Sequence, residues 1–266
     1  MSFSISGKTA IVTGGANGIG LAIGRHFADK GANVVFADMD EKRLIKELGQ
    51  NADEGNIRYF AGDLREKLTQ ANLLSATIDA FDQVDILVNA SRQILPSDPL
   101  NPDDDAVEVL LQQNLITALR LSQQVARRMI KQSEGQEEGM AGTIVNLSSI
   151  SARLAHPDLL AYSVAAAGLD QMTRSLAVAL APHRIRVNAV AIGSVMSASL
   201  KDSLRENRGY RSDIEDRTPL GRIASPAELA EAVQYLACDG SGFMTGQIMT
   251  LDGGRSLLDP VIAPAH

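Results

Sequence analysis

Thr13-Gly14-Gly15-Ala16-Asn17-Gly18-Ile19-Gly20 is the stretch on which the fold turns. The apolar run Thr9-Ala10-Ile11-Val12 leads into it. Ile19, Ile23 and Phe27 then recur four residues apart, the spacing of one buried helix face. That pattern stops at Lys30-Gly31, a cation in the last turn with a glycine just beyond it. A second β-branched run, Asn33-Val34-Val35-Phe36-Ala37, follows. Strand, glycine-rich turn, helix and strand within about thirty residues make one βαβ unit.

Further short apolar runs extend the alternation at Ile86-Leu87-Val88, Thr143-Ile144-Val145-Asn146-Leu147, Ile185 to Val190 and Ile248-Met249-Thr250-Leu251. Nearly continuous apolar strands suit a parallel sheet covered on both faces. The expectation is an α/β protein with a three-layer, doubly wound parallel sheet, forming a single domain over residues 1–266. Pro96 to Asp105 reads as a loop whose acidic end caps the next helix, and Ser133 to Gly142 reads as a charged, mobile loop. There is no solenoid-type repeat.

The composition is ordinary for a globular protein, with 45% hydrophobic and 21% charged residues. A net charge of −7 argues against nucleic acid or an anionic membrane surface as the main partner. One cysteine, Cys238, cannot form an intrachain disulfide, which fits a reducing, cytoplasmic setting. No apolar stretch reaches the ~18 residues of a membrane helix, and no signal peptide is visible. His26, His183 and His266 have no metal-ligand spacing, so no metal site is expected, and Cys238 reads as core.

A glycine turn between a strand and a helix lets the backbone approach a pyrophosphate, which the helix N-terminus then attracts. Asp38 ends the second strand, eighteen residues beyond Gly20. A carboxylate there accepts hydrogen bonds from adenosine ribose hydroxyls and repels the additional phosphate of NADP. Asn17 occupies the position in the turn where a cation would offset that repulsion. NAD is the expected cofactor.

The spacing Thr-Gly-x-x-x-Gly-x-Gly resembles the short-chain dehydrogenase/reductase family, and other motifs agree along nearly the whole chain. Asp63-Leu64 resembles the family's adenine-contacting pair, and Asn89-Ala90-Ser91 its Asn-Ala-Gly. Asn114 sits where the family keeps a structural and proton-relay asparagine, and Tyr162 follows Ser149 by the family's thirteen residues. Arg186 to Val190 and Thr245 to Gly254 match late motifs. The resemblance implies hydride transfer between nicotinamide and an alcohol or carbonyl carbon. Tyr162 would be the acid–base, Ser149 would bind the substrate oxygen, and Asn114 would assist. The implied cofactor contacts are Gly14, Asn17, Gly18, Ile19, Gly20, Asp38, Asp63, Leu64, Asn89, Ala90, Ser91, Tyr162, Gly193, Val195 and Ser197.

The family's Tyr-x-x-x-Lys reads Tyr162-Ser163-Val164-Ala165-Ala166 here. Positions four apart share a helix face, so a lysine at 166 would bring its charge to the phenol and hold the nicotinamide ribose. Ala166 does neither. An unassisted tyrosine titrates near pH 10, leaving about 0.1–0.5% ionised around neutrality. A lost charge-assisted bond to the ribose costs roughly 1.5–3 kcal/mol. Ser91 in place of glycine and Ile192-Gly193 in place of Pro-Gly also border the expected pocket, a pattern of natural divergence. Arg153 or His156 could replace the charge, or simply line the substrate loop.

Two functions follow. One is an NAD-dependent oxidoreductase acting on a small-molecule alcohol or carbonyl substrate. The other is a catalytically impaired dinucleotide-binding protein acting through oligomer or partner contacts. Residues 196–218 are expected to form a substrate lid and 255–266 a C-terminal tail. Resemblance implies a dimer or homotetramer, with Ala165-Ala166-Ala167-Gly168 small enough for close packing of another subunit.

Overall fold

The structure is a computed structural model that describes residues 2–49, 55–136 and 138–259. The run before the glycine turn forms β1 (Thr9–Thr13), and the turn opens helix α1 (Gly18–Asp29). Then come β2 (Asn33–Asp38), α2 (Glu41–Leu48), β3 (Ile57–Ala61), α3 (Lys67–Phe81) and β4 (Ile86–Asn89). Helix α4 (Ala106–Leu111) passes through a π-helical turn, Gln112–Ile116, into α5 (Thr117–Gln132). The second half holds β5 (Gly142–Ser149), α6 (Leu160–Leu180), β6 (Ile185–Ile192), α7 (Ala198–Glu206), α8 (Tyr210–Asp216), α9 (Pro226–Ala237) and β7 (Ile248–Leu251).

All strand pairs are parallel, in the order β3-β2-β1-β4-β5-β6-β7. On one face, Ile19, Ile23 and Phe27 of α1 join Leu229, Val233 and Leu236 of α9 over the sheet. On the other, Leu73 of α3, Leu121, Val125 and Met129 of α5 and Ala177 of α6 cover it. This is the three-layer, doubly wound arrangement the alternation predicts. The order reverses between β1 and β4, and their carboxyl ends diverge into a crevice where such folds bind ligands. Thr13 closes its base by accepting the N–H groups of Ala90 and Ser91, both at 3.0 Å.

Several details differ from the sequence reading. The edge strand β3 is half-buried throughout, so Ile57-Arg58-Tyr59-Phe60-Ala61 lacks the continuous apolar signature of the inner strands. The acidic end of the 96–105 loop does cap α4: Asp105 is the N-cap position, and the side chain of Asp104 accepts from the N–H of Ala106 at 2.8 Å. Arg184 donates to the carbonyls of Gln136, Glu138 and Gly139 in the 133–142 loop, a contact not foreseen from the sequence. Of the small-residue run on α6, Ala165 and Ala166 are buried within the subunit. A Cβ on Gly168 would press on Leu115 of the same chain, so that residue serves packing within the subunit. Residues 260–266 of the expected tail lie outside the described residues, and Arg255–Leu257 form one 3₁₀ turn. Among the described residues, no helix is long and apolar enough to cross a membrane. Cys238 is buried, as expected of core.

Candidate active site

Asn17 is the N-cap of α1 and makes no side-chain capping bond. The first N–H groups of a helix have no partner in the helix itself, so those of α1 remain available at the mouth of the crevice. Gly14 has φ +68°, and a Cβ there would lie 2.9 Å from the Cα of Ser91. Gly18 has φ +52°, and a Cβ there would meet only Ser197 at 3.7 Å, so its face opens on the cleft. One glycine closes the turn and the other leaves room for an anion. The cleft has a volume of about 460 Å³. These features fit a dinucleotide pyrophosphate.

Asp38 and Asp63 lie at one end of this cleft. Asp38 accepts from the N–H of Ala16 at 3.1 Å and of Asp40 at 3.1 Å, which fixes its carboxylate at the carboxyl end of β2. Asp63 is paired with Arg65 at 2.6 Å, and the guanidinium bonds hold its carboxyl below the usual range. Leu64 is buried beside it with its side chain in the core. Met39 follows Asp38 where a cation could have met a ribose phosphate.

The opposite end is built from the loop after β4. Asn89 is buried and donates to Ser122 and Asn146 at 3.0 and 2.8 Å, so its amide holds strands and helix together. Gln113, in the π turn, donates to the Ser91 hydroxyl at 3.2 Å. Asn114, in the same turn, grips the backbone of Gln93 by both amide atoms. Such single π turns inside α-helices are frequent at functional sites.

Tyr162 stands in the first turn of α6 and is 5% exposed. It borders a cavity of about 20 Å³ together with Asn114, Ala166, Ser148 and Arg92. Arg92 donates to the Tyr162 hydroxyl at 3.2 Å. Ser148 donates to Asp170 at 2.5 Å, and burial pushes the Asp170 carboxyl up. Ser149 does not border this cavity; its hydroxyl accepts from the N–H of Ser151 at 3.1 Å. Gly193 packs against Asp252, and Val195 is buried and bridges to Ala224. Ser197 caps α7 and borders the cleft.

Neither cation suggested by the sequence reaches Tyr162 by a hydrogen bond. Arg153 donates to Thr250 at 3.3 Å, and His156 accepts from the N–H of Asp158 at 3.2 Å. The sequence reading missed Arg92, although it directly follows Asn89-Ala90-Ser91 and so had to emerge at the end of β4.

A family model described as Enoyl-(Acyl carrier protein) reductase matches residues 14–256. The chain belongs to the short-chain dehydrogenase/reductase family. An L-rhamnose 1-dehydrogenase (NAD(P)(+)) of a Sphingomonas species is 34% identical over 260 residues, covering 94% of this chain and 96% of that one. A cis-4-hydroxycyclohexanecarboxylate dehydrogenase of Sinomonas cyclohexanicum is 32% identical over 262 residues, covering 96% and 98%. Among solved structures, a gluconate 5-dehydrogenase of Burkholderia cenocepacia in complex with NADP and tartrate superposes with a TM-score of 0.86 at 27% identity, covering 97% and 98%. The chain is thus similar to named dehydrogenases over nearly its whole length, and to the last of them in fold.

Proposed function

We propose that the protein is an NAD(H)-dependent oxidoreductase that interconverts a secondary alcohol and a ketone, with Tyr162 as its acid–base. One observation carries this reading. Ser91 and Arg92 border both the large cleft and the small cavity of Tyr162, so a dinucleotide lying from Asp38 across the glycine turn ends beside the phenol. The nicotinamide, when bound, supplies the acceptor or donor of hydride. The protein orients it through the turn, Asp38 and Ser197, and moves the accompanying proton. In alcohol oxidation the hydroxyl proton passes to the Tyr162 oxygen; in ketone reduction the phenol returns it. Asp38, fixed by two backbone N–H groups and followed by Met39, favours NAD over NADP.

The test is an NADH-linked assay on a panel of L-rhamnose, gluconate and cis-4-hydroxycyclohexanecarboxylate with their oxidised forms. Turnover that Tyr162→Phe abolishes, and that NAD supports better than NADP, is the expected result. Turnover unchanged by Tyr162→Phe contradicts the assignment.

The small cavity favours a second reading. Tyr162 is 5% exposed, in a space of about 20 Å³, with Ala166 where a lysine would stand. A dinucleotide-binding protein acting through a homo-oligomer or another partner would bind NADH and turn over nothing on the same panel.

A further inference from the structure

Arg92 lies where the cleft and the Tyr162 cavity meet. It is partly exposed, and among the described residues it forms no ion pair. The other arginine bordering the cleft, Arg65, is committed to Asp63. Arg92 therefore leaves an uncompensated positive charge on the wall of a cleft whose proposed ligand is an anion. A guanidinium carries five donors. One of Arg92's reaches the Tyr162 hydroxyl, at 3.2 Å, and no other hydrogen bond of its side chain to the described residues is found.

We infer that Arg92 is a cofactor-contacting residue, holding the ribosyl-nicotinamide half of the dinucleotide with its remaining donors while one donor orients Tyr162. The inference rests on the dinucleotide reading of the cleft. Three observations separate this end of the cleft from the adenosine end. Asp38 and Asp63 hold the far end, the glycine turn lies between, and Arg92 shares its cavity with Tyr162. Its orientation is imposed from outside the residue. Asn114 clamps the next residue, Gln93, through two bonds of 2.8 Å, and Gln113 holds the preceding Ser91. Among the residues bordering that cavity, Arg92 is the sole charged side chain.

The test needs no substrate. NADH and ADP are titrated by calorimetry into the native protein, Arg92→Gln and Arg92→Lys. ADP occupies the adenosine end and the glycine turn but lacks the ribosyl-nicotinamide. Arg92→Gln is expected to weaken NADH about ten- to a hundredfold, the range of a charge-assisted hydrogen bond, and to leave ADP unchanged. Arg92→Lys is expected to recover part of the loss. NADH affinity unchanged in Arg92→Gln overturns the inference. An equal loss of NADH and ADP also overturns it, because the residue would then serve the pyrophosphate or the fold. Native protein that binds neither nucleotide defeats the dinucleotide reading itself, before any variant is compared, and this inference with it.

Discussion

Asn114 holds Gln93 as a neighbouring strand would, its Oδ1 accepting the backbone N–H and its Nδ2 donating to the backbone carbonyl, both at 2.8 Å. The clamp joins the π turn to the loop after β4 and so sets where Ser91 and Arg92 lie. Asn114→Ala removes two hydrogen bonds and is expected to cost about 1–3 kcal/mol of stability. Urea unfolding measures it. A loss below about 0.5 kcal/mol would mean that water replaces the clamp at no cost.

In the proposed function, Asp38 selects between the cofactors at the adenosine end. Asp38→Ser removes the negative charge and keeps a short acceptor for Ala16. NADPH affinity is expected to rise and NADH affinity to fall, narrowing any preference by about tenfold or more, since one charge at close range is worth over a kcal/mol. Cofactor fluorescence titration reads both. Selectivity unmoved by the substitution would place discrimination elsewhere in the cleft.

Much of this site was legible in the sequence, for identifiable reasons. The glycine turn is local: its residues are consecutive, and the strand before it and helix after it carry clear periodicities. Asp38 follows from the length of one βαβ unit. Arg92 was hidden because its partner, Tyr162, lies seventy residues away on another helix, and only tertiary packing joins them. Ser149 was read from its spacing to Tyr162, and spacing along the chain does not say which of two neighbouring serines borders the cavity, which here is Ser148. Successive side chains of β5 point to opposite faces, so one residue separates the cavity from the turn at Ser151. Strand β3, expected only by its place before Asp63, was not among the clearest strands because an edge strand with half-buried side chains lacks the unbroken apolar run of its neighbours.

Restoring a lysine does not simply restore a site. Ala166 is buried beside a cavity of about 20 Å³, and Arg92 lies across it. Ala166→Lys brings a second cation and excess volume into that space. It is expected to destabilise by about 1–3 kcal/mol from overpacking alone. Repulsion between the two like charges adds to that loss, and the double variant Ala166→Lys with Arg92→Gln should recover this added part, because one charge is gone. Thermal unfolding of the two variants decides it; a double variant no more stable than the single one rules out repulsion as a contributor.

The buried Asp170 carboxyl makes a pH prediction. Burial raises its pKa from the ordinary 3.8, against opposing contributions from the Ser148 hydroxyl and the charges of Arg153 and Arg174. The folded state therefore binds the proton more readily than the unfolded state. This contribution favours folding below 3.8 and is lost as pH rises through the raised value. Asp170→Asn keeps an acceptor for Ser148 and removes the titration. Its stability relative to the native protein should increase from a buffer below 3.8 to neutrality, as read by urea midpoints at both. A difference that stays constant, or that shrinks, would contradict the dominance of burial.

In the proposed function, the cleft from Asp38 to Arg92 holds a nicotinamide dinucleotide and prefers NAD. Titrating the native protein with NADH and NADPH, followed by the cofactor's own fluorescence because the chain has no tryptophan, tests it most directly. Micromolar binding of NADH and weaker binding of NADPH are expected. Binding of neither, or a preference for NADPH, would contradict it.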